Sequence, residues 1–152
     1  MARHPTVQRF QDRLTELGLD ADVEELDAST RTAAEAAAAV GVEVGQIVKS
    51  LVFVGAEGPV LCLCAGDRRV DTSKLGTDVR QANGEEVREA TGFGIGGVPP
   101  LGHDRPVRTV VDSSLQRFPI VWCAAGTPNA VFSVSTEALI GAIPDAIVQD
   151  IS

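Results

Sequence analysis

The sequence predicts an α+β fold on a mixed or mainly antiparallel sheet. Three observations carry this. The apolar runs of strand character are short, and several are joined by turn residues as hairpins. The helical patterns are short and unevenly spaced, so strands and helices do not alternate as regular βαβ repeats. No internal repeat or low-complexity linker interrupts the 152 residues, a length sufficient for one core, so residues 1–152 are read as one domain.

The elements follow in order. Residues 6–17 place Val7, Phe10, Leu14 and Leu17 on one helical stripe, with Gly18 as C-cap. Residues 23–26 suit a short strand. Thr32 with Glu35 fits a capping box, with Ser29 as a second candidate cap, and opens an alanine-rich helix over 33–40 that Gly41 ends. Residues 47–54 and 59–65 are apolar β-runs around the turn 55–58, a hairpin. A helical turn is expected at 71–75, an extended piece at 79–82, and a helix at 85–90 stopped by Thr91 and Gly92. Strands follow at 108–111, 120–124 and 130–134, with a helical turn at 113–117. Ser135 caps a helix to about Gly141, and 147–151 suits a last strand.

Composition narrows the function. The apolar fraction is 44%, without an apolar run of the roughly 20 residues that span a bilayer. The first ten residues lack the apolar stretch of a secretory signal. Three cysteines, an odd number, suit a reducing cytoplasm better than a disulfide scaffold. The formal charge of −8 argues against wrapping DNA or coating RNA, although Arg68, Arg69 and Lys74, or Arg105 and Arg108, form small basic groups.

Lys49 stands out. The chain has 13 basic residues, of which only Lys49 and Lys74 are lysines, and Lys49 interrupts a buried-looking strand. Alternation points it the same way as Ile47, Leu51 and Phe53. An ammonium there needs compensation. Snorkelling or a structural ion pair supplies one answer, and a cleft for an anion or ester supplies another.

The loop at 92–103 holds five glycines and two prolines in twelve residues. Glycines let backbone approach a ligand closely, and prolines keep the N–H and C=O groups aimed. The pattern is not the Gly-x-Gly-x-x-Gly of a dinucleotide site. Cys62 and Cys64 lack further metal ligands nearby and, like Cys123, read as small buried apolar residues. His4 and His103 have no cysteine partner. Asp67, Asp71, Asp104 and Asp112 read as turn formers rather than a catalytic pair. Neither metal nor cofactor is expected, and a hydrolase built on this chain relies on positioning and on groups of its substrate.

Taken in order, four segments resemble the YbaK family of free-standing aminoacyl-tRNA editing domains, which is related to the insertion domain of bacterial prolyl-tRNA synthetase. They are Gly45-Gln46-Ile47-Val48-Lys49-Ser50-Leu51-Val52-Phe53, then Gly66-Asp67-Arg68-Arg69-Val70-Asp71 with Lys74-Leu75, then Gly96-Gly97-Val98-Pro99-Pro100-Leu101-Gly102, and Ala125-Gly126-Thr127-Pro128-Asn129. The likeness runs over about residues 32–150. It implies a curved, mixed and mainly antiparallel sheet with short flanking helices. It implies a cytoplasmic hydrolase of the ester joining a wrong amino acid to tRNA, with Cys-tRNA(Pro) or Ala-tRNA(Pro) as substrates. Lys49 is then the catalytic residue, and Ser50, Gly96, Gly97, Val98, Pro99, Pro100 and Gly126 hold the 3′-terminal aminoacyl-adenosine. A substrate thiol, the ribose hydroxyl or a water attacks. The implied partners are the tRNA acceptor end and prolyl-tRNA synthetase, with neither membrane nor DNA. The family's cysteine-specific members carry Ser where this chain has Pro99, and basic residues where it has His103-Asp104-Arg105. The competing reading is a non-catalytic module that holds a small ligand or an RNA 3′ end in the same pocket.

Overall fold

The computed structural model describes residues 4–27 and 32–152, so the candidate cap Ser29 lies outside the described residues. The first helix, α1 (Pro5–Glu16), starts one residue before the predicted stripe. Pro5 sits in its first turn, where the missing N–H costs nothing. His4 caps it by accepting the Thr6 N–H on Nδ1. Val7, Phe10 and Leu14 form its buried stripe. A two-residue strand, β1 (Glu24–Glu25), precedes α2 (Ala33–Val40). Thr32 accepts the Glu35 N–H, and Gly41 closes the helix in the left-handed conformation, as the sequence signals.

The hairpin is β2 (Val48–Gly55) with β3 (Gly58–Ala65), paired antiparallel over their full lengths. Short β4 (Arg80–Gln81) pairs with the far end of β2. The third helix, α3 (Gly84–Thr91), has a capping box of Asn83 and Glu86 that sequence reading missed. Then come β5 (Arg108–Asp112), β6 (Ile120–Ala124), β7 (Ala130–Ser135), α4 (Thr136–Ala142) and β8 (Ile147–Gln149). Ser135 caps α4 as expected.

The strands form two sheets rather than one. The larger runs β4-β2-β3-β5-β8, and the smaller runs β1-β7-β6. Most pairings are antiparallel, but β3–β5 and β5–β8 are parallel, so the larger sheet is mixed. A parallel bridge between Ile47 and Trp122 ties the sheets together at one end of β2. The main core lies between them. It takes Val48 and Val52 from β2, Leu61 and Leu63 from β3, Val121 and Phe132 from the smaller sheet, and the apolar stripe of α1. The opposite face of β2 and β3 builds a second cluster from Phe53, Val60, Cys62, Val110 and Ile151. Helix α2 covers the bridge with Ala36 and Ala37 against Ile47. Its alanines permit that close approach.

Candidate active site

A gap in strand pairing makes the main cleft. One edge of β2 is fully paired with β3, while its other edge meets β4 only at Phe53 and Val54 and the smaller sheet only through Ile47. Residues 48–51 thus have no strand partner on that edge among the described ladders. The sheets part there around a cleft of about 600 Å³. Its walls are α2, the strand end at Trp122–Ala124, and the glycine-rich loop at Ile95, Gly96 and Val98.

Lys49 and Ser50 line this cleft from opposite faces of β2. Lys49 pairs with Cys64 and shares the face of Leu51 and Phe53, as alternation predicts. Its side chain is half-buried, and its ammonium donates to the Arg68 carbonyl. No carboxylate pairs with it among the described residues. The structural ion pair entertained from sequence is therefore absent. One of three N–H donors is engaged, so two are free for a bound group. Gly66 lines the cleft beside it, where a side chain would strike the Val44 carbonyl at 2.3 Å.

Ser50 lies on the other face, with Val48 and Val52. Its hydroxyl is the single buried side-chain polar atom without a hydrogen-bond partner among the described residues. The open edge adds backbone groups. The Val52 carbonyl accepts the Ala82 N–H on that edge, so alternation aims the N–H and C=O of Ser50 the same way.

The glycine-rich loop contributes less surface than its composition suggests. Gly96 is exposed with a φ of 92°, and Val98 reaches both cleft and core. Gly97, Pro99 and Pro100 are buried behind them. The eight candidates do not all line one cleft. Lys49, Ser50, Gly96 and Val98 line it, three loop residues back it, and Gly126 lines a neighbouring cleft. Packing explains the division. Gly97 is pressed onto Gly126, whose N–H donates to the Gly97 carbonyl at 2.9 Å. A Cβ at Gly97 would lie 2.8 Å from Gly126 and Thr127 backbone atoms, so close approach demands this glycine. His103 steadies the same turn, its Nε2 lying 2.7 Å from the Pro99 carbonyl oxygen.

The cleft's chemistry is sparse. Lys49 and Cys123 are the titratable side chains in its lining, and burial pushes the Cys123 thiol far up. Burial also pushes Cys64 up to about 11, although the nearby Lys49 charge pulls the other way. A neutral buried thiol is a poor nucleophile. No carboxylate or imidazole lines the cleft, so a general base from the described residues is missing. What remains is the Lys49 ammonium, the unpartnered Ser50 hydroxyl and a free strand edge, with Thr32, Gln81 and Trp122 as the other polar side chains beside apolar walls.

Residues 27–142 match the model of the aminoacyl-tRNA editing domain family. The chain belongs to this family. A solved structure described as a candidate trans-editing enzyme for prolyl-tRNA synthetase superposes with a TM-score of 0.91 at 49% identity, covering 99% of each chain. The YwhH protein of Bacillus subtilis is 34% identical over 140 residues, 88% of either chain. A proline–tRNA ligase of Thermosipho africanus is 37% identical over 93 residues, which are 58% of this chain and 16% of the ligase. This editing-domain chain thus corresponds to a small part of the ligase. Sequence reading had named the β2 and glycine-loop contributions to its cleft. It had missed Trp122, Ile95 and the α2 wall, since nothing in an alanine-rich helix or a lone loop isoleucine signals a cleft. Among the described residues, no helix is long and apolar enough to cross a membrane.

Proposed function

We propose that the protein is a free-standing aminoacyl-tRNA deacylase that clears a small uncharged amino acid from mischarged tRNA(Pro) in the cytoplasm. The observation that carries this reading is the unpaired edge of β2. There an unpartnered hydroxyl, free backbone groups and a lysine without a carboxylate converge on one cleft in a member of the editing-domain family. The 3′-terminal aminoacyl-adenosine occupies it. Lys49 supplies positive charge where negative charge develops as the ester carbonyl is attacked. The Ser50 hydroxyl and edge amide orient the acyl group. A water or the vicinal ribose hydroxyl attacks, because the walls offer no base. Apolar Ala33, Ala36, Ile47 and Trp122 favour a short uncharged side chain such as that of alanine or cysteine. Prolyl-tRNA synthetase is the source of the mischarged tRNA.

The test is a panel of Ala-, Cys-, Ser- and Pro-tRNA(Pro) incubated with the purified protein, following release of the amino acid. Hydrolysis of a mischarged member with Pro-tRNA(Pro) spared is expected. Binding of tRNA without turnover of any member would establish a non-catalytic module instead.

A further inference from the structure

The cleft that Gly126 lines is a second site. It encloses about 630 Å³ between the start of α1, the end of α3, the first half of the glycine-rich loop and residues 126–128. Its lining includes His4, Arg9 and Arg88 and not one aspartate or glutamate. That is unexpected in a chain with 21 acidic residues against 13 basic ones. Chance placement on so acidic a surface favours the opposite sign.

The Arg9 guanidinium is placed by specific contacts. Arg9 lies over the Phe93 ring, 4.8 Å from its centroid, and is held from behind by Asp104 at 3.2 Å. Arg13 also pairs with that carboxylate, so Asp104 cannot neutralise both. Arg88 has no carboxylate partner among the described residues. Its Nη2 would lie 2.8 Å from a Cβ at Gly94, so the missing side chain leaves the guanidinium its place. His4 accepts the Thr6 N–H on Nδ1, so the neutral ring carries its proton on Nε2, a further donor.

Position completes the case. Ile95 lines both clefts and is 60% exposed, the most exposed large apolar side chain described. The hydrogen-bonded Gly97–Gly126 contact lies beside it. We propose that the second cleft binds the phosphodiester backbone of the single-stranded tRNA 3′ end, with Arg9 and Arg88 on phosphate oxygens and Ile95 against a base. This rests on the deacylase reading, in which the adjoining cleft holds the terminal adenosine. Guanidinium forks match phosphate oxygens, and an apolar side chain against a base face accepts any sequence.

Two measurements test it. In the first, kcat/KM is compared for alanyl-tRNA(Pro) and for 3′-O-alanyl-adenosine, which has no phosphate. Arg88→Gln is expected to lower the tRNA-to-nucleoside ratio about tenfold, mainly through KM on tRNA. In the second, binding of a fluorescein-labelled cytidylyl-cytidylyl-adenosine trinucleotide is titrated against salt. The slope of log K on log salt is expected to shrink in Arg88→Gln by about 0.7 for one lost single-strand phosphate contact. An unmoved ratio or an unmoved slope would overturn the proposal. So would inorganic phosphate binding as tightly as the trinucleotide, which would mark a general anion site. If the wild-type protein hydrolyses neither ester, the deacylase reading falls. The trinucleotide titration still decides whether this cleft takes RNA. Arg88 is exposed, so the variant should fold, and an unchanged Tm checks that.

Discussion

At the scale of single residues, Lys49 and Ser50 make opposite demands on stability and function. Lys49 loses one hydrogen bond to a turn carbonyl when truncated, worth about 1 kcal/mol. It leaves no buried carboxylate stranded. Lys49→Met should therefore melt within a few degrees of wild type while deacylation falls by orders of magnitude. Lys49→Arg should not restore turnover, since a planar guanidinium directs its donors differently. A strongly destabilised Lys49→Met, seen by thermal melt, would make the lysine structural after all. Ser50 carries the reverse signature. Its unpartnered buried hydroxyl costs the folded state roughly 1–3 kcal/mol, so Ser50→Ala should raise Tm and still slow deacylation. A variant with raised Tm and full activity would remove Ser50 from the site. Neither side chain's surroundings were legible in the chain. Lys49 meets a carbonyl 19 positions away, and the solitude of Ser50 is a property of everything packed around it.

At the scale of elements, the glycine-rich loop shows how composition misleads about mechanism. Its glycines serve two different ends. Gly96 does use a φ of 92°, and a Cβ added there would meet nothing nearer than Pro128 at 3.9 Å. Gly97 needs no unusual φ and is a glycine because two loops touch there. Gly96→Ala should cost about 1–2 kcal/mol from backbone strain alone. Gly97→Ala should cost more, because it pushes apart the Gly97–Gly126 contact and its hydrogen bond, and it should distort both clefts. Thermal melts of the two variants, with deacylation assays alongside, rank them, and equal effects would refute the close-contact argument. Helices were more legible. The Thr32 cap and the Gly41 stop depend on neighbours in the chain, and the structure has both. The Asn83 and Glu86 box escaped notice although its spacing was visible. Glu86 also grips Arg80 on both oxygens, a contact no local pattern reveals.

At the scale of the whole molecule, charge and burial set the pH limits. Arg117 holds Asp67 below its usual range, and Arg80 draws Glu86 down to about 2. Burial works to raise Asp104 and Asp112. The Arg13 and Arg9 contacts outweigh it at the first, and Ser114 with the Ile151 N–H at the second, so both are lowered. A carboxyl with a depressed folded pKa stabilises above its unfolded value and loses that contribution as pH falls. Urea midpoints should therefore drop from about pH 5 toward about pH 3. The thiols act at the other end. Burial lifts Cys62 to about 12 and Cys64 to about 11 from 9.0, so their contribution is complete below pH 9 and fades above it. All three thiols should resist alkylation at pH 8 in the native protein and react on unfolding. Rapid native labelling would contradict their burial. The molecule also redraws its map of positive charge. Arg108 reaches Glu57 and Lys74 reaches Asp150, so these residues of the basic groups apparent in sequence are neutralised at the surface. The cationic cleft instead joins Arg9 to Arg88 from two helices.

The sequence by itself determined the local order of the chain: the hairpin, the caps at Thr32, Gly41 and Ser135, the α1 stripe and the face on which Lys49 stands. These follow from periodicity and from contacts within a few residues, which the chain carries in full. The four segment motifs likewise identified the family. Only the tertiary structure decided that the sheet is two sheets and that the cleft is the unpaired edge between them. It also decided that Gly97 backs the cleft while Gly126 opens onto another. Those outcomes depend on which strand edges find partners and which backbones touch. Such contacts join residues tens of positions apart, and no spacing along the chain encodes them.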